Sequence, residues 1–329
     1  PVYLAENFTV TDGAAFGDPL TVSEDLELDD TYALSTNAEQ IRLSLVQPDN
    51  NSIAPFLIDA NSAVGKPGNQ LHLDSTITFM GPDGTTFDAV VLVEVDPELG
   101  EIEQIYMLAL APISKKINYH LVRVDQSTAH TRLAQAASVS FTRGTHITMA
   151  NGEQRAIETL KTGDKVLTRD QGPQTIRWIG QTTMRAVGDF APILIKKGTL
   201  NNLNDLLVSP NHRLFIYQRI DEVGAGRSEV LVKAKHLTNG STVTRQSGGF
   251  VDYFQLLFDD HQIVFAEGIA AESMLLDIRT AAALPNELVR DVYGDAVVEH
   301  NDTHDEFEID HLHFTNGDVV ERLRRASCG

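Results

Sequence analysis

Short apolar runs broken by turn residues recur along most of the chain, and their spacing predicts strands. Between Phe8 and Val124 the runs Ile41 to Val46, Ile77 to Met80, Ala89 to Val95 and Ile105 to Leu110 are too short for core helices and too apolar for loops. Val93-Glu94-Val95 and the stretch from Asn118 to Val124 alternate apolar and polar positions, as a strand with one buried face does. Pro82-Asp83-Gly84 and Pro97-Glu98-Leu99-Gly100 supply turns, proline by fixing φ and glycine by accepting a positive φ. The expectation for this region is an antiparallel β-sandwich or barrel-like module.

Gln126 to Ser138 breaks the pattern. It is rich in Ala, Ser, Thr and Gln without a strong apolar period, and reads as a short helix or linker. Beyond it the strand signal resumes in Lys165 to Thr168, Thr175 to Gly180, Ile193 to Ile195, Leu214 to Tyr217 and Gln262 to Phe265. After Ser273 the reading changes again: Thr280 to Tyr293 looks helical, Glu306 to Phe314 looks like a strand leading into the turn Thr315 to Asp318, and Val319 to Ala326 looks like a short helix. The sequence thus divides into residues 1–137, an acidic β-rich module; 138–275, a second mainly β domain; and 276–329, a mixed C-terminal extension.

Composition narrows the function classes. Hydrophobic residues make up 42% and charged residues 22% of the chain, as in an ordinary globular protein. A net charge of -20 opposes binding to nucleic acid or anionic membranes, both of which reward clustered Lys and Arg. The charge is uneven, with 20 acidic and 6 basic residues before Ser140 against 26 and 20 from Ser140 onward, which suggests two units with different surfaces. The single cysteine, Cys328, allows neither an intramolecular disulfide nor a cysteine zinc site, and no cofactor is expected. The first residues lack the basic start and apolar run of a secretory signal, and no stretch is long and apolar enough for a membrane helix. A cytoplasmic protein, or one exported by a signal-free route, is expected.

The chemistry concentrates from residue 140. Ser140-Phe141-Thr142-Arg143-Gly144-Thr145 is followed by the turn Asn151-Gly152, then Ile157-Glu158-Thr159-Leu160 and Gly163-Asp164-Lys165-Val166. Further on come Ser209-Pro210-Asn211-His212 and the segment Asp260-His261-Gln262-Ile263-Val264-Phe265-Ala266-Glu267-Gly268. Singly these pieces mean little. In this order and approximate spacing they resemble the Hedgehog/intein (Hint) self-processing domains, closest to the bacterial Hint-like subfamily. The resemblance covers about residues 138 to 275, and none is claimed for the N-terminal module. It implies an all-β domain that cuts the Val139–Ser140 bond in cis. It further implies Ser140 as the nucleophile, His212 as the proton donor to the departing amide, Ser209 as the group that holds or polarises the peptide, and His261 as an accessory.

The residue types fit that chemistry. Attack by a side-chain hydroxyl or thiol on the carbonyl of residue 139 moves the acyl group from nitrogen to the side chain, giving an ester with Ser or a thioester with Cys. Proximity within a fold can supply effective molarities of about 10⁵ to 10⁸ M. The family usually carries cysteine at the nucleophile position, where a thiol pKa near ~8.5 leaves some thiolate at neutral pH. Serine is expected to make the reaction slow or silent. Either a cysteine has been replaced here, or the domain is naturally serine-using or attenuated.

A second departure lies downstream, where inteins end in His-Asn and this chain has Glu272-Ser273. Asparagine cyclisation is absent, so N-terminal cleavage or ligation is expected instead of full splicing, with water or a small nucleophile as acyl acceptor. The alternative is a non-catalytic binding or structural β protein carrying a decayed Hint domain. A hydrolase acting in trans is weaker, because the chain has no Gly-x-Ser-x-Gly elbow and no His-Glu-x-x-His motif. The tail residues His300, Asp302, His304, Asp305, Asp310, His311 and His313 are of metal-ligand type, but their spacing matches no closed zinc motif and no metal is expected. The run from Glu24 to Asp30 lacks the glycine and closing glutamate of a calcium loop.

Overall fold

A computed structural model describes residues 1–46, 55–137, 139–218, 226–275 and 323. The helices and strand expected beyond Ser273, with the His/Asp-rich tail, lie outside the described residues, Leu323 excepted. The described chain is mainly β and falls into two compact units, the first running from Pro1 to Gln135 and the second opening at Ala136.

The first unit is built on one continuous antiparallel sheet. Its strands lie in the order Tyr3–Leu4, Ile102–Ala109, Thr86–Val95, Gln70–Met80, Asn118–Asp125, Thr31–Leu34 and Phe8–Asp12, with Phe56–Ile58 pairing onto Gln70–Met80 and Leu45–Val46 onto Phe56–Ile58. The two ends of this order, Tyr3–Leu4 and Phe8–Asp12, are joined by the short 3₁₀ segment Ala5–Asn7. Three residues span at most about 11 Å, so the sheet must curl until its edges nearly meet. Inside the curl lies a core of Phe8, Tyr32, Ile77, Phe79, Val91, Met107 and Leu121, with Phe8 stacked on Tyr32 and edge-on to Phe79. Both expected turns fall between paired strands. The expected strand Ile41 to Val46 shrinks to Leu45–Val46, because Ile41 is taken up by an isolated bridge to Val2.

In the Gln126 to Ser138 stretch, the helix Ala129–Ala137 forms. The run from Glu24 to Asp30 serves the fold: the buried carboxylate of Asp30 accepts the N–H groups of Ala14 and Ala15. Among the described residues no cluster of metal-type ligands forms.

The second unit packs two antiparallel sheets around one core. The six-stranded sheet runs Trp178–Arg185, Phe250–Leu257, Phe141–Thr142, Leu206–Val208, Ile193–Ile195, Val243–Arg245; the other runs Gln154–Ala156, His146–Thr148, Ile263–Ala266, Ile269–Glu272, Arg213–Tyr217, Glu229–Lys233, with Lys165–Thr168 and Gly172–Thr175 attached to it. Phe141, Ile193, Val208 and Phe254 from the first meet Ile147, Leu214, Val232 and Val264 from the second. The expected strand from Thr175 to Gly180 is two strands: Ile176 is buried between them, and Arg177 turns out to a two-pronged pair with Asp259.

What matters for the site is how the chain changes sheets. It leaves the six-stranded sheet for the other between Thr142 and His146, between Val208 and Arg213, and between Leu257 and Ile263. The groups singled out in the sequence lie in or beside these three crossings.

Candidate self-processing site

Strand register brings the first two crossings together. Phe141 pairs with Val208 on one side and Phe254 on the other, so the residues one step further, Ser140, Ser209 and Gln255, are also neighbours. The N–H of Ser140 donates to Ser209 Oγ at 3.0 Å. The N–H of Ser209 donates to the Ser140 carbonyl at 2.9 Å, and Gln255 Nε2 donates to Ser140 Oγ at 3.3 Å.

Ser209 and His212 stand three positions apart as the ends of a β-turn, closed by the N–H of His212 donating to the Ser209 carbonyl at 3.0 Å. A turn of that size returns both side chains to residue 140. Nδ1 of His212 lies 3.1 Å from the Ser140 carbonyl oxygen, and its ring packs on Phe141 at 4.4 Å between centroids. Asn211, between them, donates to the carbonyl of Ala136 at 2.8 Å, fixing the chain just upstream of the junction.

The three predicted residues thus converge on residue 140, with a different division of contacts from the one the motif implied. Ser209 is the group on the amide nitrogen of the Val139–Ser140 bond, whereas His212 sits on the carbonyl of the same residue, one peptide further on. Ser140 and Ser209 are buried, His212 is fully enclosed, and Val139 is half-buried. Burial pushes His212 below the ordinary histidine value, against an upward pull from the Glu272 carboxylate and from the Ser140 and Glu272 carbonyls.

His261 is placed apart from this trio. Its Nε2 is 3.5 Å from Glu272 Oε2, in a pocket where both side chains are buried. Glu272 also accepts the backbone N–H of Arg213 at 3.0 Å and its Nε at 2.7 Å. Burial works to raise the Glu272 pKa, but His261, Arg213 and His212 together carry it below the usual carboxylate value. Arg213 and Gln255 were not singled out in the sequence, and Glu272 entered it only as a departure from His-Asn. The signal available for Glu272 was an acid closing the apolar strand Ile269–Glu272, since a buried charge demands partners.

The turn after His261 completes the frame. Ala266 pairs with Ile269 across Glu267 and Gly268, which have φ of 49° and 82°, the sign pattern of a two-residue type I′ hairpin. Glycine fits such a position without strain, while glutamate is unusual there; the buried Glu267 carboxylate accepts the N–H of His146 at 2.7 Å and Asn204 Nδ2 at 2.8 Å. Those bonds hold the first crossing against the hairpin.

A serine whose peptide groups and hydroxyl are each engaged, at the head of a two-sheet domain, has the order of motifs and the local architecture expected of a self-processing junction. Residues 139–277 match the family model of the Hint domain. This part of the chain belongs to the Hint, or Hedgehog/intein, family. The family is one of autoprocessing domains, and the Hint unit here is all-β, as that membership requires. No curated protein matches the chain.

Proposed function

We propose that the Hint domain cuts the chain at the Val139–Ser140 bond. Ser140 Oγ attacks the Val139 carbonyl carbon, the bond from that carbon to the Ser140 nitrogen breaks, and the acyl group passes to oxygen as an ester. The proton lost from Oγ ends on the nitrogen, which becomes the free amine of residue 140. Water or a small nucleophile then takes the acyl group, releasing residues 1–139 from the rest. The N-terminal module is the substrate in cis.

The observation that carries this reading is the set of bonds on residue 140. Ser209 Oγ holds the amide N–H of the bond to be broken, and the neighbouring carbonyl is held by Ser209 N–H and faces His212 Nδ1. Because that carbonyl and the departing nitrogen belong to one residue, a small movement of the imidazole carries Nδ1 from one to the other, where it can deliver the proton. Gln255 restrains the hydroxyl. Serine in the nucleophile position makes the reaction slow, since its hydroxyl is far less ionised than a thiol at neutral pH.

The experiment is Ser140→Cys, incubated with and without an added thiol and followed by intact mass. Two fragments meeting between residues 139 and 140 are expected, and His212→Ala in the same background should abolish them. An intact chain under those conditions rejects the proposal and leaves the Hint domain as a non-catalytic scaffold for the N-terminal module.

A further inference from the structure

Glu272 closes a strand whose other members are Ile269, Ala270 and Ala271, and it is as buried as they are. A carboxylate in such a place is costly unless every oxygen is engaged. Its hydrogen bonds to Arg213 and His212 tie it to the crossing that carries Ser209 and His212. Oε1 takes the N–H of Arg213, Oε2 takes the Arg213 guanidinium and lies near His261, and the backbone carbonyl lies 3.0 Å from His212 Nε2.

The last contact constrains the imidazole. Both ring nitrogens of His212 face carbonyl oxygens, of Ser140 on one side and Glu272 on the other. A carbonyl only accepts, and a neutral imidazole has one N–H to give. A neutral ring therefore satisfies one of the two; a protonated ring satisfies both. We infer that Glu272 is a positioning residue of the self-processing site, acting through His212: its carbonyl holds the enclosed imidazole and its carboxylate anchors the adjoining Arg213, so that the ring stands ready to carry the proton that the departing amide needs. This rests on the proposed reaction.

The charged and titratable groups around His212 are Glu272, which favours the protonated ring, and Arg213, which opposes it more weakly; His261 reaches the ring through Glu272. A purely structural clamp would hold the turn without moving the titration of the imidazole, and that difference can be measured.

In the intact Ser140 chain, ¹⁵N-histidine NMR follows His212, its signal assigned by its loss in His212→Asn. Glu272→Gln keeps the backbone carbonyl and an amide oxygen for Arg213 but removes the charge. The His212 titration should move down by about one pH unit, as loss of a near opposite charge does. In the Ser140→Cys background the alkaline limb of the cleavage profile should move with it. Should the single change unfold the unit, the neutral pair Arg213→Met with Glu272→Gln should give a smaller downward shift, because Glu272 outweighs Arg213. An unmoved His212 titration in the folded variant overturns the inference. If Ser140→Cys does not cleave, the reaction is rejected, while the titration still decides whether Glu272 and His212 are coupled.

Discussion

The pair Arg213–Glu272 offers a strong test of how the Hint unit is held together. Its side chains are 9% and 1% exposed and meet at 2.7 Å. Replacing Glu272 by leucine strands a buried guanidinium and a backbone N–H, a loss of about 3 to 5 kcal/mol for a buried pair broken on one side. Arg213→Met should cost a similar amount, by taking the guanidinium from the buried carboxylate, which keeps the N–H of residue 213 and the nearby His261. Replacing both removes the unpaired charge, and buried pairs exchanged for apolar residues of similar size are commonly neutral; the N–H of residue 213 still loses its Glu272 acceptor, so the double variant should lie about 1 to 2 kcal/mol below the parent. The expected coupling is therefore large, several kcal/mol in a double-mutant cycle. The chain's only tryptophan, Trp178, lies in the Hint unit, so its fluorescence in urea reports this unit rather than the whole chain. With a slope near ~2 kcal/mol per M, each single variant should lower the midpoint by about 2 M and the double variant by only about 0.5 to 1 M. Equal losses in all three variants, or a single variant that hardly moves, would refute the account of Glu272 as a paired buried charge.

Acid should weaken the same unit in two stages. His212 is held below its ordinary value of about 6.5, so the unfolded chain takes up the proton first. The corresponding stability is complete above that pH and lost as the pH falls towards the folded value. Glu272, also held low, adds a second loss below about pH 4.3. Urea midpoints read from Trp178 should fall accordingly, and His212→Asn should flatten the upper stage. At Gly180 an added Cβ would meet the Trp178 ring at 2.3 and 2.7 Å and Gln255 Oε1 at 2.8 Å. Gly180→Ala should cost about 1 to 3 kcal/mol by overpacking, shift the Trp178 emission, and slow cleavage of the Ser140→Cys chain by displacing the Gln255 carboxamide. Unchanged emission with unchanged stability would contradict that packing.

Much of the fold was legible because strands and turns are local signals. The pairs flanking Pro82 to Gly84 and Asn151-Gly152 follow from turn residues set between apolar runs. Ser209 and His212 were legible through the resemblance of their segment to a Hint motif, and their spacing is that of a single turn. Gln255 was not, since its bond to Ser140 depends on which strand lies beside Phe141, a pairing between residues 115 apart in sequence. Glu272 was read only as a departure from His-Asn, and its partners come from two other crossings. The apparent strand through Ile176 and Arg177 shows the opposite failure: a continuous apolar pattern hides a corner whenever the side chain at the corner is itself buried.

The three sheet crossings also set the timing of the proposed cut. Residue 140 is bonded to partners 69, 72 and 115 positions away; none of these loops closes until the strands beside Phe141 have paired, and the imidazole is held from its far side by Glu272 of the second sheet. A nascent or half-collapsed chain therefore has a nucleophile but nothing to hold the bond or supply the proton. Scission becomes a checkpoint passed only after maturation of the Hint unit, so the N-terminal module is released only by a completed neighbour.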